Sequence, residues 1–200
     1  ATRNQMTHRW DRASVIGEEL WGQTVGILGL GSIGREVAAR CQAFGMRVIG
    51  TKRTPAAVPH VDQVLPPDGL DEVLRTSDYL VIILPLTEET RGLIGARELG
   101  LMKPTAYLIN VARGAIVQEA VLIEALRAGR LRGAGLDVFE REPLPQDSPL
   151  WEMERVILTP HVSGAGPDYY DRALPLFCEN LRRFLIGAPL LNVVDKRQGY

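Results

Sequence analysis

Cysteine is scarce in this chain of 200 residues. Cys41 and Cys178 are the only two, and neither belongs to a CxxC pair. That argues against a disulfide scaffold or a structural zinc site and points to a reducing, cytoplasmic setting. Long apolar runs are missing too. The longest, Tyr79 to Leu84, falls far short of the roughly 20 residues that a membrane-crossing helix needs. The first ten residues hold Arg3, His8 and Arg9 but no apolar block, so they do not read as a signal peptide. Neither sign of charge dominates. Against 23 Lys and Arg stand 24 Asp and Glu, a formal net charge of −1. No electrostatic attraction for nucleic acid or an anionic membrane follows. Repeats and low-complexity linkers are absent. The chain begins at Ala1 rather than at a methionine, and we expect it to be a piece of a longer protein.

What is present is the composition of an ordinary globular protein, 46% hydrophobic and 24% charged, with enough chain for one sizeable core. Short apolar runs alternate with segments of helical spacing, the pattern of βαβ units on a parallel sheet. Strands are expected at Thr24–Leu30, Met46–Gly50, Tyr79–Leu84, Ala106–Val111, Ala134–Val138 and Val156–Leu158. Helices are expected from the apolar spacing of Ile33, Val37, Ala38 and Cys41, then at Asp71–Thr76, Ala96–Met102, Glu119–Ala128 and Asp168–Leu185, the last kinked at Pro175. The fold class is therefore α/β with a doubly wound parallel sheet. Residues 1–20 read as a lead-in helix and loop, 21–165 as the sheet domain, and 166–200 as a C-terminal helix and tail.

Gly29-Leu30-Gly31-Ser32-Ile33-Gly34 follows the first strand and opens the first helix. In that setting Gly29 makes a tight turn, Gly31 lets backbone approach a pyrophosphate, and Gly34 lets helix and strand pack closely. Ser32 and Ile33 lie between them, where free N–H groups and the helix dipole favour phosphate. This reads as a Rossmann-type dinucleotide site, with glycines that merely permit a tight βα turn as the competing reading. An acidic residue that would bind the adenosine ribose is missing about 20 residues on. The second strand runs instead into Thr51-Lys52-Arg53-Thr54. Lys52 and Arg53, with Thr54 beside them, would attract a 2′-phosphate, so NADP is favoured over NAD. A solvated basic turn is the competing reading of the same residues.

Three further stretches stand out: Ile109-Asn110-Val111-Ala112-Arg113-Gly114, Gly135-Leu136-Asp137-Val138-Phe139-Glu140-Arg141-Glu142-Pro143-Leu144, and Leu158-Thr159-Pro160-His161-Val162-Ser163-Gly164. In this order they resemble the signatures of the D-isomer-specific 2-hydroxyacid dehydrogenases. Leu84-Pro85-Leu86-Thr87 with Thr90-Arg91-Gly92-Leu93-Ile94 is similar to that family's loop under the nicotinamide. The resemblance covers roughly residues 10 to 200. It implies that His161 is the general acid/base, that Glu142 pairs with and orients it, and that Arg113 holds the substrate carboxylate. It also implies that Pro85, Thr90, Ala112 and Asp137 belong to the cofactor site.

The chemistry agrees with that assignment. Reducing a 2-oxo acid needs a proton donor near neutral pH, and histidine is the natural one. An adjacent carboxylate favours the imidazolium. An anionic substrate needs a cation, and arginine binds carboxylate with two parallel hydrogen bonds. Asp137, at a strand end, would serve equally as a turn cap. His8 and His60 lack any such context and are read as surface residues, and no metal site is expected.

The resemblance also implies a two-domain protein, of which this chain would hold the cofactor domain and the C-terminal segment. We therefore expect the chain alone to bind NADP or NAD but to turn over a small 2-oxo or 2-hydroxy acid poorly. A homodimer is expected as well. Two other readings remain on the sequence. One is a nicotinamide-sensing regulatory protein akin to corepressors of the same fold. The other, a methyltransferase, shares only the glycine loop and needs none of Arg113, Glu142 and His161.

Overall fold

The computed structural model describes residues 2–13 and 17–196. Ala1, Ser14 to Ile16 within the expected lead-in, and the end of the expected tail from Arg197 onward lie outside the described residues. Seven strands form one parallel sheet: β1 (Thr24–Leu28), β2 (Arg47–Thr51), β3 (Gln63–Leu65), β4 (Tyr79–Ile82), β5 (Tyr107–Asn110), β6 (Gly133–Leu136) and β7 (Val156–Leu158). Their order across the sheet is β3-β2-β1-β4-β5-β6-β7, and every pair is parallel. The helices are α1 (Thr2–Met6), α2 (Ser32–Ala43), α3 (Leu70–Thr76), α4 (Ala96–Leu101), α5 (Glu119–Arg127) and α6 (Tyr169–Leu185).

The central strands are buried on both faces, which explains their unbroken apolar sequences. In β1 every residue from Thr24 to Leu28 is buried. Alternate residues feed two separate cores. Leu28, Leu80, Ile82 and Leu108 pack with α3, α4 and α5 through Val73, Leu99 and Leu122. Val25, Ile27, Val48 and Val81 pack on the opposite face with Ala38 of α2. Right-handed crossovers dictate this division. The chain moves outward from β1 to β3 on one face, then back across the sheet and outward again to β7 on the other.

Two expectations need correction. The three-residue strand β3 was not expected. It is only half-buried and lies beside Pro66 and Pro67, so neither burial nor period marked it. Ile33 was placed on the apolar face of α2, yet it is 63% exposed, because the first turn packs on β1 through Gly34, against Gly29 and Ile27, and Ile33 lies off that face. The buried positions of that helix are Gly34 and Ala38. Within the last helix, Pro175 is accommodated and α6 runs unbroken through it.

Candidate active site at the carboxyl edge of the sheet

Each candidate lies just beyond the carboxyl end of a strand. Gly29 follows β1, Lys52 follows β2, Pro85 follows β4, Arg113 follows β5, Asp137 follows β6 and His161 follows β7. In an open parallel sheet this is the edge where ligands bind, at the point between β1 and β4 where the strand order reverses.

The glycine loop is built for close approach. Gly29 has φ +105°, and a Cβ there would sit 2.6 Å from the Ile83 carbonyl oxygen. A Cβ on Gly34 would sit 2.1 Å from the Gly29 oxygen, whereas Gly31 faces open space. Gly31 precedes α2 as its N-cap, and no acidic residue occupies the first turn. The N–H groups of that turn and the positive end of a 12-residue helix are thus open to an anion. A cleft of about 400 Å³ runs from Gly29, Gly31 and Arg35 past Thr51, Lys52 and Arg53 to Pro85 and Thr90. These features fit the pyrophosphate and adenosine end of a nicotinamide dinucleotide. Ser32 and Ile33 are exposed on the first turn of α2, and Thr54 is exposed outside the cleft lining. The Thr90 hydroxyl donates to the Pro85 carbonyl (2.7 Å) and accepts from the Thr87 N–H (2.8 Å), which fixes the shape of that loop.

Arg113 projects from a turn braced by Asn110. The Asn110 side chain is buried (1% exposed). Its amide donates to the Arg113 carbonyl, and its oxygen accepts the Ala112 N–H, both at 3.0 Å. Ala112 itself is buried, so backbone is what it can offer a ligand. Arg113 is exposed, and its guanidinium donates to the Ala112 carbonyl at 2.7 Å.

His161 occupies the left-handed region (φ 54°), uncommon for a residue with a side chain and a mark of a constrained site. Asp137 holds it there. The Asp137 carbonyl accepts the His161 N–H at 2.8 Å. The Asp137 carboxylate accepts the Thr159 hydroxyl (2.6 Å) and the N–H groups of Val162 and Ser163 (2.9 Å each). Burial by itself would raise this carboxyl, but the bonds from Thr159, Ser163 and Val162 prevail and pull it down to about 2. The imidazole Nδ1 of His161 lies 2.7 Å from a Glu142 carboxylate oxygen. The other Glu142 oxygen accepts the Phe139 N–H at 3.0 Å. Burial opposes ionisation of Glu142. Its bonds to His161 and Phe139, with the positive charges of His161 and Arg113, hold it below the ordinary carboxylate range. Nδ1 being taken, Nε2 is the ring nitrogen left for a reacting molecule. The pair borders a cavity of about 600 Å³ walled by Phe139, Leu144, Trp151 and Leu158.

Arg113, Glu142 and His161 therefore converge in electrostatic reach of one another. His60 is exposed and bonds to Gln42, and His8 is exposed in the lead-in. Among the described residues no cluster of His, Cys, Asp and Glu could hold a metal ion. Sequence reasoning missed Arg35, Asn110, Thr159 and Ser163. Arg35 carried a legible signal: a cation in the first turns of a helix opposes the dipole unless an anion binds there. Asn110 carried a weaker one, as the lone polar residue closing an apolar strand.

Residues 1–163 match the family profile described as D-isomer specific 2-hydroxyacid dehydrogenase, NAD binding domain. Among curated relatives, a glyoxylate reductase of Aeropyrum pernix is 44% identical over 187 residues, covering 94% of this chain and 56% of that protein. A D-3-phosphoglycerate dehydrogenase of Methanocaldococcus jannaschii is 39% identical over 196 residues, covering 98% of this chain and 37% of that protein. The chain thus spans about half the length, or less, of these relatives. Among solved structures, a D-isomer specific 2-hydroxyacid dehydrogenase from Xanthobacter autotrophicus, in complex with NADPH and MES, superimposes with a TM-score of 0.89. It is 43% identical, and the match covers 100% of this chain and 81% of that one. An NADPH-dependent glyoxylate/hydroxypyruvate reductase from Sinorhizobium meliloti, in complex with NADP and sulfate, gives 0.88 at 36% identity, covering 100% of this chain and 63% of that one. With a glycine loop, an arginine and a Glu–His pair gathered on one sheet edge, and with this agreement in sequence and fold, the chain belongs to the D-isomer-specific 2-hydroxyacid dehydrogenase family.

Proposed function

We propose that this chain forms the nicotinamide-binding half, and the proton-donating part, of an oxidoreductase that interconverts a small 2-oxo acid and its 2-hydroxy acid. Glyoxylate and hydroxypyruvate are the substrate class, by analogy with the relatives. The observation that carries the proposal is the 2.7 Å bond between His161 Nδ1 and Glu142, on the same sheet edge as the glycine loop. The bound nicotinamide supplies or accepts the hydride. His161 supplies the proton: its Nε2–H donates to the ketone oxygen as that oxygen gains negative charge, and Nε2 takes the proton back in the reverse direction. Glu142 fixes the ring orientation and stabilises its positive charge before transfer. Arg113 binds the substrate carboxylate and turns the carbonyl toward His161. Pro85, Thr90 and the Ala112 backbone flank the nicotinamide. Asp137, expected from the sequence at the carboxamide, is buried with its carboxylate taken up by Thr159, Val162 and Ser163, and serves the site by anchoring the His161 loop.

NADP is the favoured cofactor. Lys52 and Arg53 close the adenosine end of the cleft, Arg35 joins them there, and no carboxylate ends β2 to repel a 2′-phosphate. A homodimer is proposed from the sheet itself. Tyr79, Tyr107, Ile109 and Ile157 share one face by register, no helix among the described residues covers that part of the sheet, and Ile157 is 73% exposed.

Substitution of His161 by Gln in the full-length protein tests the assignment. Turnover of glyoxylate should fall by about 10²- to 10⁴-fold, while NADPH affinity stays unchanged. A variant with wild-type turnover, or a wild-type protein that reduces no 2-oxo acid with either nucleotide, would overturn it.

A further inference from the structure

The turn that bears Arg113 and the loop that bears Glu142 are locked together at a point neither side chain touches. Gly114 lies directly against the other loop. A Cβ there would stand 1.9 Å from the Phe139 carbonyl carbon and 2.4 Å from the Glu140 nitrogen. A second link lies beside it. Glu119 is the first residue of α5, and its N–H donates to the Glu140 carboxylate at 3.0 Å. The Glu140 N–H donates in turn to the Glu119 carboxylate at 3.1 Å. Two acidic side chains thus cap each other's backbone.

This arrangement is electrostatically awkward. Burial, and secondarily the charge of Glu140, push the Glu119 carboxyl up, although the Glu140 N–H opposes the shift. The helix dipole at the start of α5 offsets part of the repulsion. A surface loop that needed only solubility would not use two carboxylates here. The consequence is geometric. Glu140 is two residues from Glu142, and the Phe139 N–H between the two links is the donor that holds the Glu142 carboxylate. The brace therefore reaches His161 through Phe139 and Glu142, and reaches Arg113 through Gly114.

We propose that Glu119 and Glu140 are positioning residues: their reciprocal hydrogen bonds fix the loop of Phe139 to Glu142 on the turn of Arg113, and so set the proton donor relative to the carboxylate-binding arginine. This rests on the reading of His161 as that donor. Neither glutamate lines the cleft at the glycine loop or the cavity beside His161.

The test uses the full-length protein with Glu119→Ala and Glu140→Ala, each of which removes one bond. Because small misplacements of reacting groups are costly, kcat for glyoxylate reduction should fall on the order of tenfold, with the NADPH dissociation constant unchanged. Glu119→Gln and Glu140→Gln keep an oxygen acceptor for the same N–H and should recover most of the loss. In a Glu142→Gln background the alanine changes should add little, since coupled positions are not additive. Amide exchange gives a readout that needs no turnover: the Phe139 N–H should exchange faster in both alanine variants, and the amides of the glycine loop should not. If one alanine variant fails to fold, the other and the two glutamine variants decide the matter. Wild-type kcat with unchanged Phe139 exchange, or a loss fully additive with Glu142→Gln, would overturn the brace. If the wild-type protein reduces no 2-oxo acid, the proton-donor reading fails, and Phe139 exchange still decides whether the brace holds the loop.

Discussion

Asp137 shows how one carboxylate can hold a reactive residue in an unfavourable backbone conformation. A histidine at positive φ costs on the order of 1–3 kcal/mol unless its surroundings over-determine it. Here the surroundings are one buried side chain and its own carbonyl, which together accept from Thr159, His161, Val162 and Ser163. Replacing Asp137 by Asn keeps the shape but turns an N–H donor toward the donor of Ser163 or of Val162. The variant should lose about 1–3 kcal/mol at neutral pH in urea unfolding. The pH dependence has a definite sign. The folded carboxyl is depressed from 3.8 to about 2, so its contribution is fully present above about pH 4 and disappears as pH falls toward 2, a change of about 2 kcal/mol. The gap between wild type and Asp137→Asn should accordingly narrow on acidification. A gap that is constant with pH would mean that the carboxylate's charge is not what holds the loop.

Single residues were legible in the sequence where a local context surrounded them. Arg113 sits before a glycine at the end of an apolar strand, and His161 sits between Pro160 and a small-residue turn. Asn110 and Thr159 acquire their roles only by contacts made in the folded turn, to the Arg113 carbonyl and the Asp137 carboxylate. The sequence marks Asn110 only as the polar residue that closes an apolar strand, and it does not mark the Thr159 contact at all.

At the level of elements the same division holds. Strands buried on both faces write themselves as continuous apolar runs, so β1 and β4 could be read directly, and β5 is apolar through Ile109 although one of its faces is only half-buried. The short, half-buried β3 could not, and Ile33 looked like a core position because it continues the helical spacing, although the first turn of α2 meets the sheet through Gly34. The end of β2 carries the clearest functional question. Thr51 is buried there while Lys52 and Arg53 turn outward into the cleft, beside Arg35 from the facing helix. Three cations around one corner fit a phosphate better than a ribose diol alone. Replacing Lys52 and Arg53 together by Ala should weaken NADPH binding at least tenfold, about 1.4 kcal/mol, and leave NADH binding nearly unchanged. A fluorescence titration following energy transfer from tryptophan to the nicotinamide measures both. No loss for either nucleotide would make the pair a solvated turn, and equal losses would move it from the 2′-phosphate to the pyrophosphate that both nucleotides share.

The whole molecule carries more apolar surface than its own chain can cover. Helices α3, α4 and α5 line one face of the sheet; among the described residues α2 is the one helix packed on the other, and the β5–β7 half of that face has no helix over it. Helix α6 buries none of its residues, leaving Phe177 64% and Phe184 71% exposed. Patches of this kind on a folded chain mark surfaces that expect a partner. We assign the bare half-sheet to a second copy and the α6 stripe to the remainder of a longer protein, because the chain spans only about half the length of its curated relatives. The 200-residue chain on its own should therefore bind NADPH, since the glycine loop, Lys52 and Arg53 are complete within it. It should reduce glyoxylate far more slowly than the full-length protein, because it spans only about half the length of the glyoxylate reductases it resembles. It should also sediment as a dimer. Ile157→Lys, which places a charge in the middle of the bare half-face, should shift sedimentation toward monomer without altering NADPH affinity, since β7 lies at the far edge of the sheet from the glycine loop. If Ile157→Lys leaves a dimer intact, association runs instead through α6, and Phe177→Lys becomes the change that dissolves it.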